Sequence, residues 1–129
     1  MKSTILYWRQ GAERDWKTAA DLFRTKHYDA CLFFCHLTLE KSLKFLSALN
    51  SGKPAPYTHN LEKLTALTKL EFSDKQLEQL RLISAFNIAG RYQDEKSDFH
   101  KRATKSYCSR WFKITTEIYL WLKKSCQNS

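Results

Sequence analysis

Glycine and proline are scarce in this chain, three and two respectively in 129 residues. That scarcity excludes a fold rich in long loops and β-turns and favours helices joined by short connections. No window approaches the roughly 18 consecutive apolar residues of a membrane-spanning helix. Met1–Gln10 has no apolar signal-peptide core, so the expectation is a cytoplasmic protein that does not engage a membrane. A Gly-rich phosphate loop, a Ser/His/Asp constellation and HExxH spacing are all missing. Cys31, Cys35, Cys108 and Cys126 include no Cys-x-x-Cys pair. Cys31 and Cys35 lie one helical turn apart beside His36 but among apolar neighbours, which favours core packing over a metal site. No metal, cofactor or disulfide framework is expected, and Cys126 is assigned to a frayed terminus.

What is abundant is positive charge. Lys and Arg number 22 against 13 Asp and Glu, for a formal net charge of +9. Residues 91–129 hold nine basic against four acidic side chains, a net of +5. Such a surface attracts polyanions through steering and counterion release, and it also keeps a small protein in solution.

Periodicity predicts one domain over residues 1–129, all-α: an antiparallel up-and-down bundle of four long helices plus one short one. The first helix is expected over Ile5–Lys26, with Trp8, Ala12, Trp16, Ala19, Ala20 and Phe23 on one stripe. Asp29, a candidate N-cap, opens a second helix to Leu49 whose front half is apolar almost all round, the mark of a central helix. Residues 50–58, with Gly52, Pro54 and Pro56, form the only real linker. His59-Asn60 starts the short third helix, and Ser73-Asp-Lys-Gln76 is a capping box for the fourth, which Gly90 should stop. Residues 91–96 read as a polar connection, and Ser97 or Asp98 as the cap of one last helix.

Two segments could carry chemistry. His36, Glu40 and Lys44 share a face of the second helix at i,i+4 spacing, with Lys41 one residue round. They form either a solvated strip of ion pairs or a polar cleft in which His36, Lys41 and Lys44 hold a phosphate. Arg91 follows the fourth helix and could reach into the bundle mouth. Tyr92 could stack a base or cap the core, and Asp94 could hold Arg91 or cap a turn. His100, with an Arg nearby, could serve as a general base in RNA cleavage or be an ordinary surface histidine. No role is assigned to His27 or His59.

Five fragments, in order, resemble the HEPN domain family across nearly the whole chain. They are Trp16-Lys-Thr-Ala-Ala-Asp-Leu22, Lys26-His-Tyr-Asp-Ala30, Phe34-Cys-His-Leu-Thr-Leu-Glu-Lys-Ser-Leu-Lys44, Pro56-Tyr-Thr-His59-Asn-Leu and Gly90-Arg-Tyr-Gln-Asp94. The third looks like the family's His-x-x-x-Glu-Lys-x-x-Lys core, and the last like its Arg-Tyr-Pro-Asp motif. The resemblance implies a helical bundle, usually a homodimer, with nucleotide or RNA as ligand. It often implies a small nucleotidyltransferase partner in a toxin–antitoxin pair. Ribonuclease members carry Arg-x(4–6)-His at a composite dimer site. Here Arg91 and His100 have eight residues between them, and Gln93 replaces the proline. Both departures point away from a nuclease. The expected function is therefore a non-catalytic nucleotide- or RNA-binding module that uses His36, Lys41, Lys44, Arg91, Tyr92 and Asp94. The alternatives are a metal-independent ribonuclease using Arg91 and His100, and a ligand-free dimerisation module anchored by Trp8, Trp111 or Trp121.

Overall fold

The computed structural model describes residues 2–127. Among these are six α-helices and no strand: α1 (Ser3–Arg24), α2 (Tyr28–Ser51), α3 (Leu61–Leu64, continued by a 3₁₀ turn, Thr65–Leu67), α4 (Asp74–Ser84), α5 (Gln93–Arg102) and α6 (Lys105–Gln127).

The all-round apolar character of α2 makes it the centre of the bundle. Cys31, Leu32, Cys35, Leu39, Leu43 and Leu46 are all buried, and every other helix packs against it. Side-chain pairs give the directions. Asp15 meets Lys41 and Trp8 meets Lys44, so α1 and α2 are antiparallel. Phe23 stacks on Phe112 while Trp16 donates its indole N–H to Thr116 Oγ1 at 3.0 Å, so α6 opposes α1 and runs with α2. Phe72 packs on Trp121 and Phe86 on Trp111, so α4 opposes α6. The four main helices thus alternate in direction.

Local signals explain most boundaries. Asn60 Oδ1 accepts from Lys63 N–H at the start of α3. Ser73 and Gln76 form the reciprocal capping box at α4. Asp29 lies inside the first turn of α2 rather than capping it, and His27 holds the cap position. The α4 helix stops at Ser84, short of Gly90, and the chain continues through i→i+3 turns to Asn87. Ser84 Oγ accepts from Leu61 N–H, which ties the end of α4 to the start of α3.

The main correction concerns the last helix, which is two helices. Residues 93–102 are helical rather than a connection followed by a cap at Ser97 or Asp98. Asp94 and Glu95 in the first turn and His100, Lys101 and Arg102 in the last complement the helix dipole at both ends. Thr104 then starts α6 by accepting from Tyr107 N–H. Cys126 is helical, not frayed.

Candidate functional site

On α2 the four polar residues occupy the expected face, but they form neither a solvated strip nor an open cleft. Each side chain is engaged within the bundle. Lys41 passes over Gly11, where a Cβ would come within 2.9 Å of the Lys41 Cδ, and its Nζ meets Asp15 Oδ2 at 2.7 Å. Asp15 is buried. Lys44 Nζ lies 3.2 Å from Glu40 Oε2 and 5.1 Å from the centre of the Trp8 ring. The other Glu40 oxygen accepts from His59 Nδ1–H at 2.8 Å. His36, fully buried, donates Nε2–H to the His59 carbonyl at 2.9 Å. This fixes the neutral tautomer and leaves its Nδ1 without a partner. Burial pushes the His36 imidazole below its ordinary value, outweighing the His59 carbonyl and the Glu40 carboxylate.

This network staples the start of α3 to α2, and it spends both lysines on internal carboxylates. Asp15 and His59 were missed from the sequence. A signal for Asp15 existed: it falls between Ala12 and Ala19 at helical spacing, on the apolar stripe itself.

The second cluster surrounds α5. Gly90, at φ +79°, turns the chain and Arg91 N–H bonds back to the Ile88 carbonyl. Tyr92 takes the N-cap position of α5 and is 82% exposed, so it does not cap the core. Arg91, Glu95, Asp98, Lys101 and Arg102 line an open recess of about 590 Å³. Among the described residues Asp94 makes no ion pair with Arg91; it lies exposed in the first turn of α5.

His100 faces elsewhere. Its Nδ1–H donates to Asp29 Oδ2 at 2.9 Å. Burial pushes the Asp29 carboxyl up, but the His100 hydrogen bond and the Ala30 N–H outweigh it, so the group sits below its ordinary value. Two residues, roughly 200° of helix rotation, separate His100 from both Asp98 and Arg102. The imidazole is therefore on the side of α5 away from the recess.

The two clusters are not brought together. The α5 helix reaches α2 at Asp29, whereas Lys41 and Lys44 lie about 18 Å and 22 Å further along that helix at 1.5 Å per residue. The cysteines belong to the core: Cys31, Cys35 and Cys108 are buried free thiols. Cys31 shares a thiol hydrogen bond with Cys108 that favours its thiolate, but the Cys35 contact and burial outweigh it and push the thiol up. Among the described residues no group of His, Cys, Asp or Glu is arranged to hold a metal ion, and no helix is long and apolar enough to cross a membrane.

A helical bundle centred on an apolar helix with the His-x-x-x-Glu-Lys-x-x-Lys row, followed by an Arg-Tyr motif at the head of α5, defines a class. The HEPN domain model matches residues 5–125, nearly the whole chain, and the protein belongs to that family. Membership in the family suggests a nucleotide- or RNA-related function. No curated protein and no solved structure matches the chain.

Proposed function

We propose that this protein is a non-catalytic HEPN module that binds the phosphate of a nucleotide or RNA on the α5 recess. The observation that carries the reading is that Arg91, Lys101 and Arg102 outnumber Glu95 and Asp98 around one open recess while His100 is turned to Asp29. Arg91 supplies a fork of donors to phosphate oxygens, Lys101 and Arg102 add charge, and the exposed Tyr92 ring offers a base a stacking surface. Asp94 favours the N-terminal end of α5 rather than orienting Arg91. His36, Lys41 and Lys44 serve the scaffold, since phosphate binding would require each lysine to abandon a buried carboxylate. The module acts in the cytoplasm as a homodimer beside a small nucleotidyltransferase of toxin–antitoxin type, a reading that rests on the family alone.

One observation favours the ribonuclease alternative. The Asp29 carboxylate holds His100 Nδ1–H and leaves Nε2 as an acceptor, the orientation a general base needs. Arg91 from a second copy would then have to supply the phosphate clamp. A tryptophan-anchored dimer is less favoured, because Trp111 is buried against Phe86, Trp121 packs on Phe72 and Trp8 lies under Lys44.

The test is a gel of labelled single-stranded RNA with the protein in EDTA, beside the Arg91→Ala and His100→Ala variants. The expected result is a shifted, uncut RNA, a weaker shift with Arg91→Ala and an unchanged shift with His100→Ala. Losing one phosphate contact should also lower the slope of log affinity against log salt by about 0.7. Cleavage that disappears in the His100→Ala protein overturns the non-catalytic reading.

A further inference from the structure

Far from α5, the packing of α1, α2 and α6 leaves a cavity of about 280 Å³ open to the surface. Its floor is apolar, with Phe45, Leu46 and Leu122 among its walls. Two hydroxyls interrupt that floor. Ser42 and Tyr119 are 5% and 3% exposed, and both line the cavity. No hydrogen bond among the described residues engages either hydroxyl, although Ser42 is on a helix that offers carbonyls one turn back. Neither oxygen is among the buried atoms left without a partner, so both open toward the cavity, where water or a ligand oxygen can meet them. Burial, followed by the Glu13 carboxylate, pushes the Tyr119 phenol up to about 12, so it remains a donor at neutral pH.

The mouth carries the matching charge. Arg9 and Lys123 flank it, and neither forms an ion pair among the described residues. Lys123 Nζ lies 5.5 Å from the Tyr119 ring centre, over the same residue that presents the hydroxyl. Glu13 also lines the cavity, but its carboxylate is at 4.0 Å from Lys17 Nζ, and the rim keeps a net positive charge. Two hydroxyl donors and two cations ask for an anionic acceptor with more than one oxygen. The apolar floor asks for a hydrocarbon body, and the volume, just under the roughly 300–1,000 Å³ of drug-sized sites, keeps it small.

We propose that this cavity binds a small carboxylate with an aromatic or aliphatic body, its oxygens answered by Ser42, Tyr119 and the Arg9/Lys123 charge, its body against Phe45, Leu46 and Leu122. The site shares no residue with the α5 recess, so it stands whether or not that recess binds phosphate.

The test is a ¹H–¹⁵N NMR titration of the full chain with phenylacetate, hexanoate and, as the uncharged control, phenylacetamide. Both acids should move amides of α1, α2 and α6 around the cavity. Phenylacetamide should bind at least tenfold more weakly. The Ser42→Ala/Tyr119→Phe double variant, which removes two oxygens and little volume, should lose at least tenfold in affinity for both acids. Lys123→Gln, an exposed change that leaves the packing alone, should weaken them several-fold. Absence of cavity shifts with either acid means that water alone meets the hydroxyls, and the proposal falls. Equal binding of acid and amide, or undiminished binding by the folded double variant, overturns it as well.

Discussion

Removing Glu40 should be the most damaging single polar change in this protein, and the reason is the lysine left behind. The Glu40 and Lys44 side chains are 7% and 8% exposed and 3.2 Å apart. Deleting one partner of a buried pair costs about 3–5 kcal/mol, because the other charge stays desolvated. The Trp8 ring under Lys44 offsets part of that, since a desolvated cation–π contact contributes about 2 kcal/mol. The other Glu40 partner matters less: the His59 side chain is 64% exposed, so water replaces the carboxylate there. Glu40→Met should therefore cost about 2 kcal/mol, the middle of the roughly 1–3 kcal/mol that remains. At about 4 °C per kcal/mol for a chain of this size, Tm should fall by about 8 °C. The paired change Glu40→Met/Lys44→Met removes both charges and fills the space with apolar atoms, and should cost less than the single one. Urea denaturation of the wild type, both single variants and the double variant measures this, with an unchanged slope as the check that compactness is unaltered. A cost below about 1 kcal/mol for Glu40→Met, or a double variant worse than either single, would refute the claim that Lys44 is trapped away from water.

The remaining predictions concern pH and capping. Burial holds the His36 imidazole below its ordinary 6.5, so as pH falls through that value the unfolded chain takes up a proton that the folded chain refuses. Stability should fall on acidification from about 6.5 downward, and be flat above it for this group. His36→Gln, which retains a donor for the His59 carbonyl, should remove that part of the slope in urea titrations between pH 7.5 and 5.5. Ser73→Ala breaks the reciprocal bonds that open α4 and should cost about 1 kcal/mol by the same assay.

The bundle was legible because its signals are local or periodic. The stripe of α1, the all-round burial of α2 and the Ser73 capping box depend on residues within a few turns of one another. The α5 helix was not legible because it has no stripe to read: Phe99 is its only buried residue, and charge at its two ends marks it instead. Its separation from α6 turns on Thr104, a cap with no apolar run before it. The HEPN resemblance was carried by short fragments whose order survives in the fold. The polar row of α2 was correctly phased, but the spacing offered a solvated strip or an open cleft and the row is instead packed inside the bundle. What decides between cleft and core is Asp15, which lies 26 residues before Lys41, and His59, which lies 19 residues after Glu40. Spacing along one helix reports which side chains share a face, not which neighbours cover it.

The same distinction governs the α5 motif. Arg91 and His100 look like a clamp and a base when written in a line. On the helix, Glu95, Asp98 and Arg102 recur every three or four residues beneath Arg91 and define the recess, whereas His100 is close to half a turn away and bonded to α2. A single copy therefore cannot place both groups on one phosphate without unwinding α5 or breaking the Asp29–His100 contact. That contact links residues 71 apart in sequence, and with the Ala30 N–H it holds the Asp29 carboxyl below its ordinary value. Within one chain, the recess proposed to hold phosphate therefore has no imidazole beside it. Cleavage chemistry would need the recess of one copy and the imidazole of another.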